Sequence, residues 1–284
     1  MSDVTIINLE DLPPPDVLEH KSFQEIYQEL LQVFAALAPE YRLFLHSDPA
    51  IKVLQAFAYR EYLVRGRINT VAEAVMVARA TGADLDNLVA FFGVRRLDGE
   101  TDKRLRARYS LASEALSVAG PVNAYKYHAF TASVSIKDVG ISSPKPGYVL
   151  VTLLGEDGTG EVSTEVINKV REALNADDVR PLTDTVSVRS ARIVSYNVSA
   201  RLVLLPGPAA DTVLENAQRN VERYTASRHR INSEVTLSGL MSALHVEGVQ
   251  QVELDAPSDL PLQPSDGEAL FANSIEVDYS GRDS

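Results

Sequence analysis

Cysteine is absent from this 284-residue sequence. The protein therefore has no disulfide bond, no thiolate metal site and no thiol nucleophile, which excludes several classes of enzyme. No stretch reaches the ~18 uninterrupted apolar residues of a membrane helix. The first four residues also lack the basic start and apolar run of a secretory signal. We therefore expect a soluble protein that is made in a cytoplasm.

Basic residues are scarce at both ends of the chain. Residues 1–20 contain five acids and no Lys or Arg, and residues 247–284 contain nine acids against Arg282 alone. The middle is nearly neutral, although the whole chain has a net charge of −12. A nucleic-acid surface or an anionic membrane would require a basic stripe, so we expect neither partner. The acidic ends fit either solubility or protein partners with basic faces.

Residues that could carry chemistry are scattered. None of the five histidines has a histidine four residues away, so no metal and no cofactor is expected. Ser142 and Lys145 match Ser-x-x-Lys, but they lie in a proline-rich turn rather than at a helix start. The sequence therefore predicts no enzyme and no small-molecule substrate. The alternative, an enzyme or small-ligand sensor, would use the second half, with residues 180–184 as its first candidate site.

One basic cluster interrupts the neutral middle of the chain. Its members are Arg95, Arg96, Lys103, Arg104, Arg106 and Arg108. Asp98, Glu100 and Asp102 offset the charge, and no aromatic residues interleave with the cluster for base stacking. We interpret it as a salt-bridged or solvated helix face. A docking face for an acidic partner, such as the acidic end of a neighbouring copy, stays open.

The first half of the chain reads as helical. Three successive prolines at 13–15 predict an extended arm over residues 1–21, which is either a linker or a segment that docks on a neighbour. Apolar residues at helical spacing predict a helix over 22–37, where Ser22 and Glu25 form a capping box. Further helices are predicted over 84–92, over 102–116 with Thr101 as its cap, and after Gly120-Pro121.

The longest predicted helix is the main candidate for a binding surface. Asp48 and Pro49 mark its start, and residues 49–81 form either one helix of ~50 Å or two helices broken near Gly66. Its apolar positions form a stripe too long for a small core, so partner chains would bury it. The predicted interface residues are Ile51, Leu54, Phe57, Tyr59, Arg60, Val64, Ile68, Val71 and Val75. Packing on helices of the same chain is the alternative.

The character of the sequence changes near residue 133. Strands are predicted over 134–143, 148–154, 186–188, 194–204, 249–255 and 274–279, with helices over 166–174, 211–226 and 236–245. We therefore predict an α+β protein, in which a helical domain (22–132) precedes an α+β domain (133–284). The second domain allows a further division into 133–190 and 191–284.

Several segments together resemble the baseplate J-like family of contractile-tailed phages and R-type bacteriocins. The segments are Ser47-Asp48-Pro49, residues 56–61, Arg67-Ile68-Asn69, residues 80–88, Ala119-Gly120-Pro121, Ala124-Tyr125 with His128, Asp138-Val139, residues 143–147, residues 179–184 and residues 243–249. They occur in family order over roughly residues 45–255. Their shared order, more than any single segment, makes the resemblance specific.

The resemblance implies a structural protein of the tail baseplate. Members of the family are wedge components, in which two copies associate with a second tail protein and six such units ring the hub. The expected partners are other wedge proteins, the sheath initiator and a second copy of this chain. The expected location is the virion or tail particle. The family's role is to transmit fibre contact into sheath contraction, and one departure is the short C-terminus after the last predicted strand.

Overall fold

A computed structural model describes residues 12–13, 20–40, 45, 47–115, 121–176, 179–181, 183–206 and 209–282. These residues form eight helices and six strands, with helices alone in the first half and a mixture in the second. The predicted α+β class is therefore confirmed. The chain divides into two compact units, Met1–Arg96 with Glu100–Ser110 and Leu97–Gly99 with Leu111–Ser284. Most of the predicted arm, the helix end at residue 116, Ala119-Gly120 and Leu182 lie outside the described residues.

The first unit is built from helices α1 (Phe23–Leu37), α2 (Pro49–Ala74), α3 (Gly82–Ala90) and most of α4 (Asp102–Ala115). The predicted capping box at Ser22 and Glu25 is confirmed. Asp48 accepts a hydrogen bond from the Ala50 N–H at 2.9 Å, and Pro49 takes the first helical position, where a missing N–H costs nothing. Helix α2 runs through Gly66 without a break.

The C-terminal end of α2 lies earlier than the sequence suggests. We predicted a helix as far as residue 81 with Gly82 as its stop, whereas α2 ends at Ala74 and Gly82 begins α3. Helix α4 contacts the segment that follows α2. Its Arg106 guanidinium donates to the carbonyl of Val77 at 2.9 Å and to that of Ala80 at 2.8 Å. These carbonyls therefore find their partner in a distant residue instead of in a continued helix.

The basic cluster is paired inside the first unit, as the salt-bridge interpretation predicted. Arg96 bonds Asp102 at 2.6 Å and Asp86 at 2.7 Å, and its guanidinium holds the pKa of Asp102 below the usual range. Arg108 is only 2% exposed and grips both carboxylate oxygens of Glu100, at 2.7 and 2.9 Å. Much of the cluster is therefore committed within the chain and is not displayed to an acidic partner.

The second unit contains two lobes, each a three-stranded sheet with helices. The first lobe comprises α5 (Val122–Ala132), β1 (Ile136–Lys145), β2 (Tyr148–Gly155), α6 (Thr164–Leu174) and β3 (Thr185–Ser190). Its sheet has the order β1-β2-β3, with an antiparallel pair β1/β2 and a parallel pair β2/β3 joined across α6. Its core contains Val139, Leu153, Val170 and Leu174, together with Tyr125 of α5.

The second lobe comprises β4 (Arg192–Leu204), α7 (Ala210–Arg228), α8 (Leu237–Leu244), β5 (Val249–Ala256) and β6 (Glu268–Arg282). The sheet order is β5-β4-β6, where β4 pairs antiparallel with β5 and parallel with β6. Alternate residues of β4, including Val198, Ala200, Leu202 and Leu204, are buried under α7 and α8. This alternation is the pattern from which the strand was predicted.

The two lobes meet at a junction where large side chains enter spaces left by glycines. A Cβ atom at Gly140 would lie 2.8 Å from Cγ2 of Ile231, and one at Gly160 would lie 3.0 Å from Nε2 of His229. Asp138 also accepts a hydrogen bond from the Ile231 N–H at 2.9 Å. Since close packing of this kind leaves little room for sliding, we expect the lobes to move together.

The domain boundaries predicted at residues 21 and 132 and the division at 190/191 stay predictions. Helix α5, which we placed in the helical domain, packs on α6 and β1 of the second unit. Ala191 alone separates β3 from β4. Among the described residues, no helix combines the length and apolar composition that a membrane crossing requires.

Candidate partner interface on helix α2

One side of α2 is buried by α1 of the same chain. Ile51 and Ala58 are 1% and 0% exposed and pack with Ile26 and Tyr27, while Leu54 is partly covered by the same contact. Ile51 was predicted as a partner residue, but the structure places it in this intramolecular core. At this end of α2, the apolar residues are buried by α1 of the same chain and not by a partner chain.

The other side of α2, together with its C-cap residue, carries large apolar residues that face solvent. They are Val53, Phe57, Val64, Ile68, Val71 and Val75, and we refer to these six as the α2 stripe. Each is at least half exposed, from 50% for Val71 to 66% for Val75. Single exposed apolar residues are ordinary, whereas six aligned along one helix face are typical of an interaction surface.

The spacing of the stripe matches that of a helix seam. Phe57, Val64 and Val71 recur at intervals of seven residues, and Val53, Ile68 and Val75 follow at three- or four-residue steps beside them. A repeat of seven keeps side chains on one line along an α-helix, the arrangement by which paired helices interlock. A second helix lying along α2 would therefore cover all six residues.

Charged residues set the polarity of the stripe's borders. Arg60 and Arg67 are exposed and lie seven residues apart on one flank of the stripe. On the other flank, Glu61 is engaged by Arg65 in the same helix, with nitrogen and oxygen 2.8 Å apart. The border on the arginine side is therefore positive. This arrangement favours a partner helix with acidic residues on the matching side.

Seven of the nine predicted interface residues are exposed in the structure. They are Phe57, Tyr59, Arg60, Val64, Ile68, Val71 and Val75. Tyr59 stands away from the stripe, because it is two residues past Phe57 on the helical turn. Phe91 at the end of α3 is 88% exposed but was not among the predicted interface residues. The next residue, Phe92, contacts the ring of Tyr109 edge-on at 5.2 Å. The Phe-Phe pair directly before Gly93 was the sequence feature that could have indicated an exposed aromatic residue at the end of this helix.

The second unit holds two polar contacts that need explanation. The Tyr125 hydroxyl donates to Asp184 at 2.6 Å, and burial followed by this hydrogen bond raises the pKa of the tyrosine. This contact anchors Asp184, the last residue of the 180–184 segment that the sequence offers as a candidate ligand site.

Lys137 lies beside His229 at the lobe junction. Ser142 and Lys145 both lie on strand β1. Within the described ranges, no group of three or more potential metal ligands occurs.

Three protein-family models match most of the chain. Residues 46–98 match the Baseplate J-like N-terminal domain, residues 117–190 match the Baseplate J-like central domain, and residues 196–277 match the Baseplate J-like protein C-terminal domain. The first match contains α2 and α3. The second and third correspond closely to the two lobes.

The chain is similar to proteins of known baseplates. Baseplate protein J of Escherichia phage P2 is 39% identical over 303 residues, an alignment that covers 98% of this chain and 99% of that protein. Among solved structures, a chain of the anti-feeding prophage baseplate, determined by cryo-electron microscopy with six-fold symmetrisation, matches with a TM-score of 0.42 and 14% identity. That match covers 62% of this chain and 42% of the other.

Proposed function

The chain belongs to the baseplate J-like family, and from this premise we propose that it is a structural subunit of a contractile-tail baseplate. In this role the protein has no reaction to catalyse. It holds other polypeptides at defined positions in a virion or tail particle. Helix α2 provides the surface through which the first unit is joined to its partners.

The α2 stripe is the single observation that carries this proposal. Six apolar side chains stand half exposed or more in a line, and α1 covers only the opposite side of the helix. Complete burial of such a side chain contributes about 1.5–3 kcal/mol, so covering the remaining half would contribute roughly 1 kcal/mol each. A partner helix that buried these side chains would be stabilised by this free energy, whereas in the isolated subunit the side chains stay exposed to water.

Membership of the family supports a proposal for the wider arrangement. We place the subunit in a wedge, where it associates with a second copy of itself, with other wedge proteins and with the sheath initiator. The second unit contacts neighbouring wedges and closes the ring. Because its two lobes interlock, it transmits a displacement as one body, which is what the relay from fibre contact to sheath contraction requires.

Co-expression with the other tail proteins of the same particle tests the proposal. The full chain should be recovered in a stoichiometric complex, and the double variant Val64→Asp with Val71→Asp should lose at least tenfold in complex yield. Two buried charges in an apolar seam explain the loss. Because both residues lie away from α1, the helix content of the purified variant should match that of the parent.

A matched control uses an apolar residue outside the stripe. Val33 of α1 is 56% exposed, so Val33→Asp adds one such charge to an exposed helix position in the same unit. This variant should assemble like the parent chain. Equal assembly by the Val64/Val71 variant would count against α2 as the interface, and a parent chain that stays a stable monomer with all tail proteins present would overturn the proposal.

A further inference from the structure

Helices α2 and α3 of the first unit border a cleft with a volume of about 370 Å³. Its α2 side runs from Arg67 to Val75 and its α3 side from Asp84 to Phe91, and each side presents residues three and four positions apart. This spacing places the lining residues of each helix on one face. The cleft is therefore bounded by one face of α2 and one face of α3, and we call it the α2–α3 cleft.

The apolar part of the cleft lies beside a highly exposed aromatic side chain. Val71, Val75 and Leu88 form apolar walls, and Phe91 stands at the border with 88% of its surface exposed. Phe91 continues the row of α3, because its backbone keeps the right-handed helical conformation. Pockets from roughly 300 Å³ upward hold small ligands, so a cleft of this volume can take one aromatic side chain. The first unit therefore carries both an exposed ring and a cleft that fits such a ring.

Opposite charges line the two sides of the cleft. Arg67 lies on the α2 side, Asp84 lies in the first turn of α3, and both are exposed. Arg65, two positions before Arg67, is already paired with Glu61 of the same helix. For Arg67 and Asp84, in contrast, the described residues provide neither a hydrogen bond nor an ion pair to the side chain. These two charges are therefore available to another molecule.

A second copy of the same chain has the features that complement the cleft. In a pair related by a two-fold axis, every contact occurs twice with the roles of the two residues exchanged. Arg67 of one copy can then face the partner's Asp84, while its own Asp84 faces the partner's Arg67. The exposed Phe91 of each copy can enter the cleft of the other in the same way. One surface thus supplies the ring, the cleft and both charges.

We propose that two copies of this chain associate through their α2–α3 clefts, with Phe91 of each copy packed against Val71 and Val75 of the other. Arg67 pairs with the partner's Asp84 on both sides of the two-fold axis. The inference rests on the proposed function, because it assigns the second copy, one of the partners named there, to a place on the first unit.

The rest of the α2 stripe is left to other partners. Val53, Phe57 and Val64 do not line the cleft, so they stay open to the other tail proteins. A contact made by a few side chains of each copy buries less than about 1,200 Å², which is the size of weak and transient interfaces. We therefore expect a monomer–dimer equilibrium that depends on protein concentration.

Charge reversal tests the pairing in the purified full chain, with sedimentation velocity at several protein concentrations as the measurement. Arg67→Glu and Asp84→Arg should each weaken self-association at least tenfold, because each places like charges opposite one another twice. The double variant restores opposite charges and should associate within about threefold of the parent. Arg60→Glu, at an exposed position of α2 outside the cleft, is the matched control and should associate like the parent.

Replacement of the aromatic ring tests the apolar part of the contact. Phe91→Ala should weaken self-association at least tenfold, since it removes the two side chains that fill the clefts. Because Phe91 is almost fully exposed, the helix content of this variant should equal that of the parent. Leu37→Ala is the matched control, because Leu37 of α1 is 79% exposed and lies outside the cleft. This control should associate like the parent.

Three outcomes would overturn the inference: a parent chain that stays monomeric at every concentration, single charge reversals that associate like the parent, or a double variant as weak as the single ones. A chain that joins the other tail proteins but never pairs with itself would overturn this inference alone and leave the proposed function standing. A chain that pairs as described but joins no tail protein would contradict the proposed function instead.

Discussion

The amino group of Lys137 lies 3.1 Å from Nδ1 of His229. Lys137 belongs to β1 of the first lobe, and His229 is the C-cap residue of α7 in the second lobe, so this contact joins the two lobes. An ammonium group can only donate, so Nδ1 accepts and the imidazole is neutral. Burial, followed by the charge of Lys137, lowers the pKa of His229, while the Thr159 carbonyl opposes the shift. A neutral histidine is thus part of the lobe junction.

The first prediction is that the stability of the second unit falls in mild acid. The unfolded chain has a histidine pKa near 6.5, above that of folded His229, so between the two values the unfolded state binds more protons. The free energy of unfolding should therefore rise with pH through this window and level off above about 6.5. Urea unfolding of the full chain at pH 5.5 and pH 7.5 measures the effect.

His229→Gln removes the titrating group and should reduce the difference between the two pH values. His245 is exposed one residue past α8, so His245→Gln serves as the matched control and should keep the parent's difference. An unchanged difference in the His229 variant would show that other groups cause the acid response.

The second prediction is that replacing two helical glycines with alanine changes the free energy of unfolding in opposite directions. A Cβ atom at Gly239 in α8 would lie 2.1 Å from the Tyr224 hydroxyl oxygen, whereas one at Gly66 in α2 would meet nothing within 4 Å. Gly239→Ala should therefore destabilise the protein by about 1–3 kcal/mol through overpacking. Gly66→Ala should stabilise it by about 0.5–1 kcal/mol through helix propensity. Chemical unfolding of both variants measures the two changes in free energy. Changes in the same direction would contradict the difference in packing around the two glycines.

The third prediction concerns the buried ion pair of the first unit. Arg108→Ala leaves the Glu100 carboxylate, which is 5% exposed, without the two bonds that the guanidinium donates. Removing one partner of a buried pair costs about 3–5 kcal/mol, and we expect a loss of this size in the free energy of unfolding. Lys103→Ala, on an exposed position of the same helix, should change it by less than about 0.5 kcal/mol.

Elements with local signals were predictable from the sequence. The capping box of α1 and the Asp48-Pro49 start of α2 use only neighbouring residues, and both are confirmed. The alternation in β4 is equally local, because one face of that strand is covered and the other is not. In each case the physical cause lies within a few residues of its effect.

Elements that depend on distant contacts were harder to predict. Strand β6 was expected over 274–279, but it begins at Glu268. Its first three residues, Glu268, Ala269 and Leu270, are all buried, so the alternation that marks a half-exposed strand is missing there. The segment after the early end of α2 is likewise bonded by Arg106, which lies 29 residues from Val77. Neither cause is visible in the local sequence.

The candidate interface shows the same division. The apolar spacing of α2 indicated a surface too long for the chain's own core, and seven predicted residues are exposed. The sequence could not separate Ile51, which α1 buries, from Val64, because both are apolar at helical spacing. Only the position of α1 distinguishes the two sides of the helix.

The last prediction separates assembly from folding of the second unit. Val64→Pro removes a backbone donor in the middle of α2 and places a ring against the preceding turn, at a cost of about 3 kcal/mol. Among the described residues, the core residues of the two lobes all lie outside α2. Complex formation and the protection of residues 51–60 from hydrogen exchange should therefore be lost, while residues 151–154 and 198–204 stay protected. Val64→Ala, which keeps the helix, should retain protection in all three segments. Equal loss of protection in both units after Val64→Pro would show that the two units fold as one.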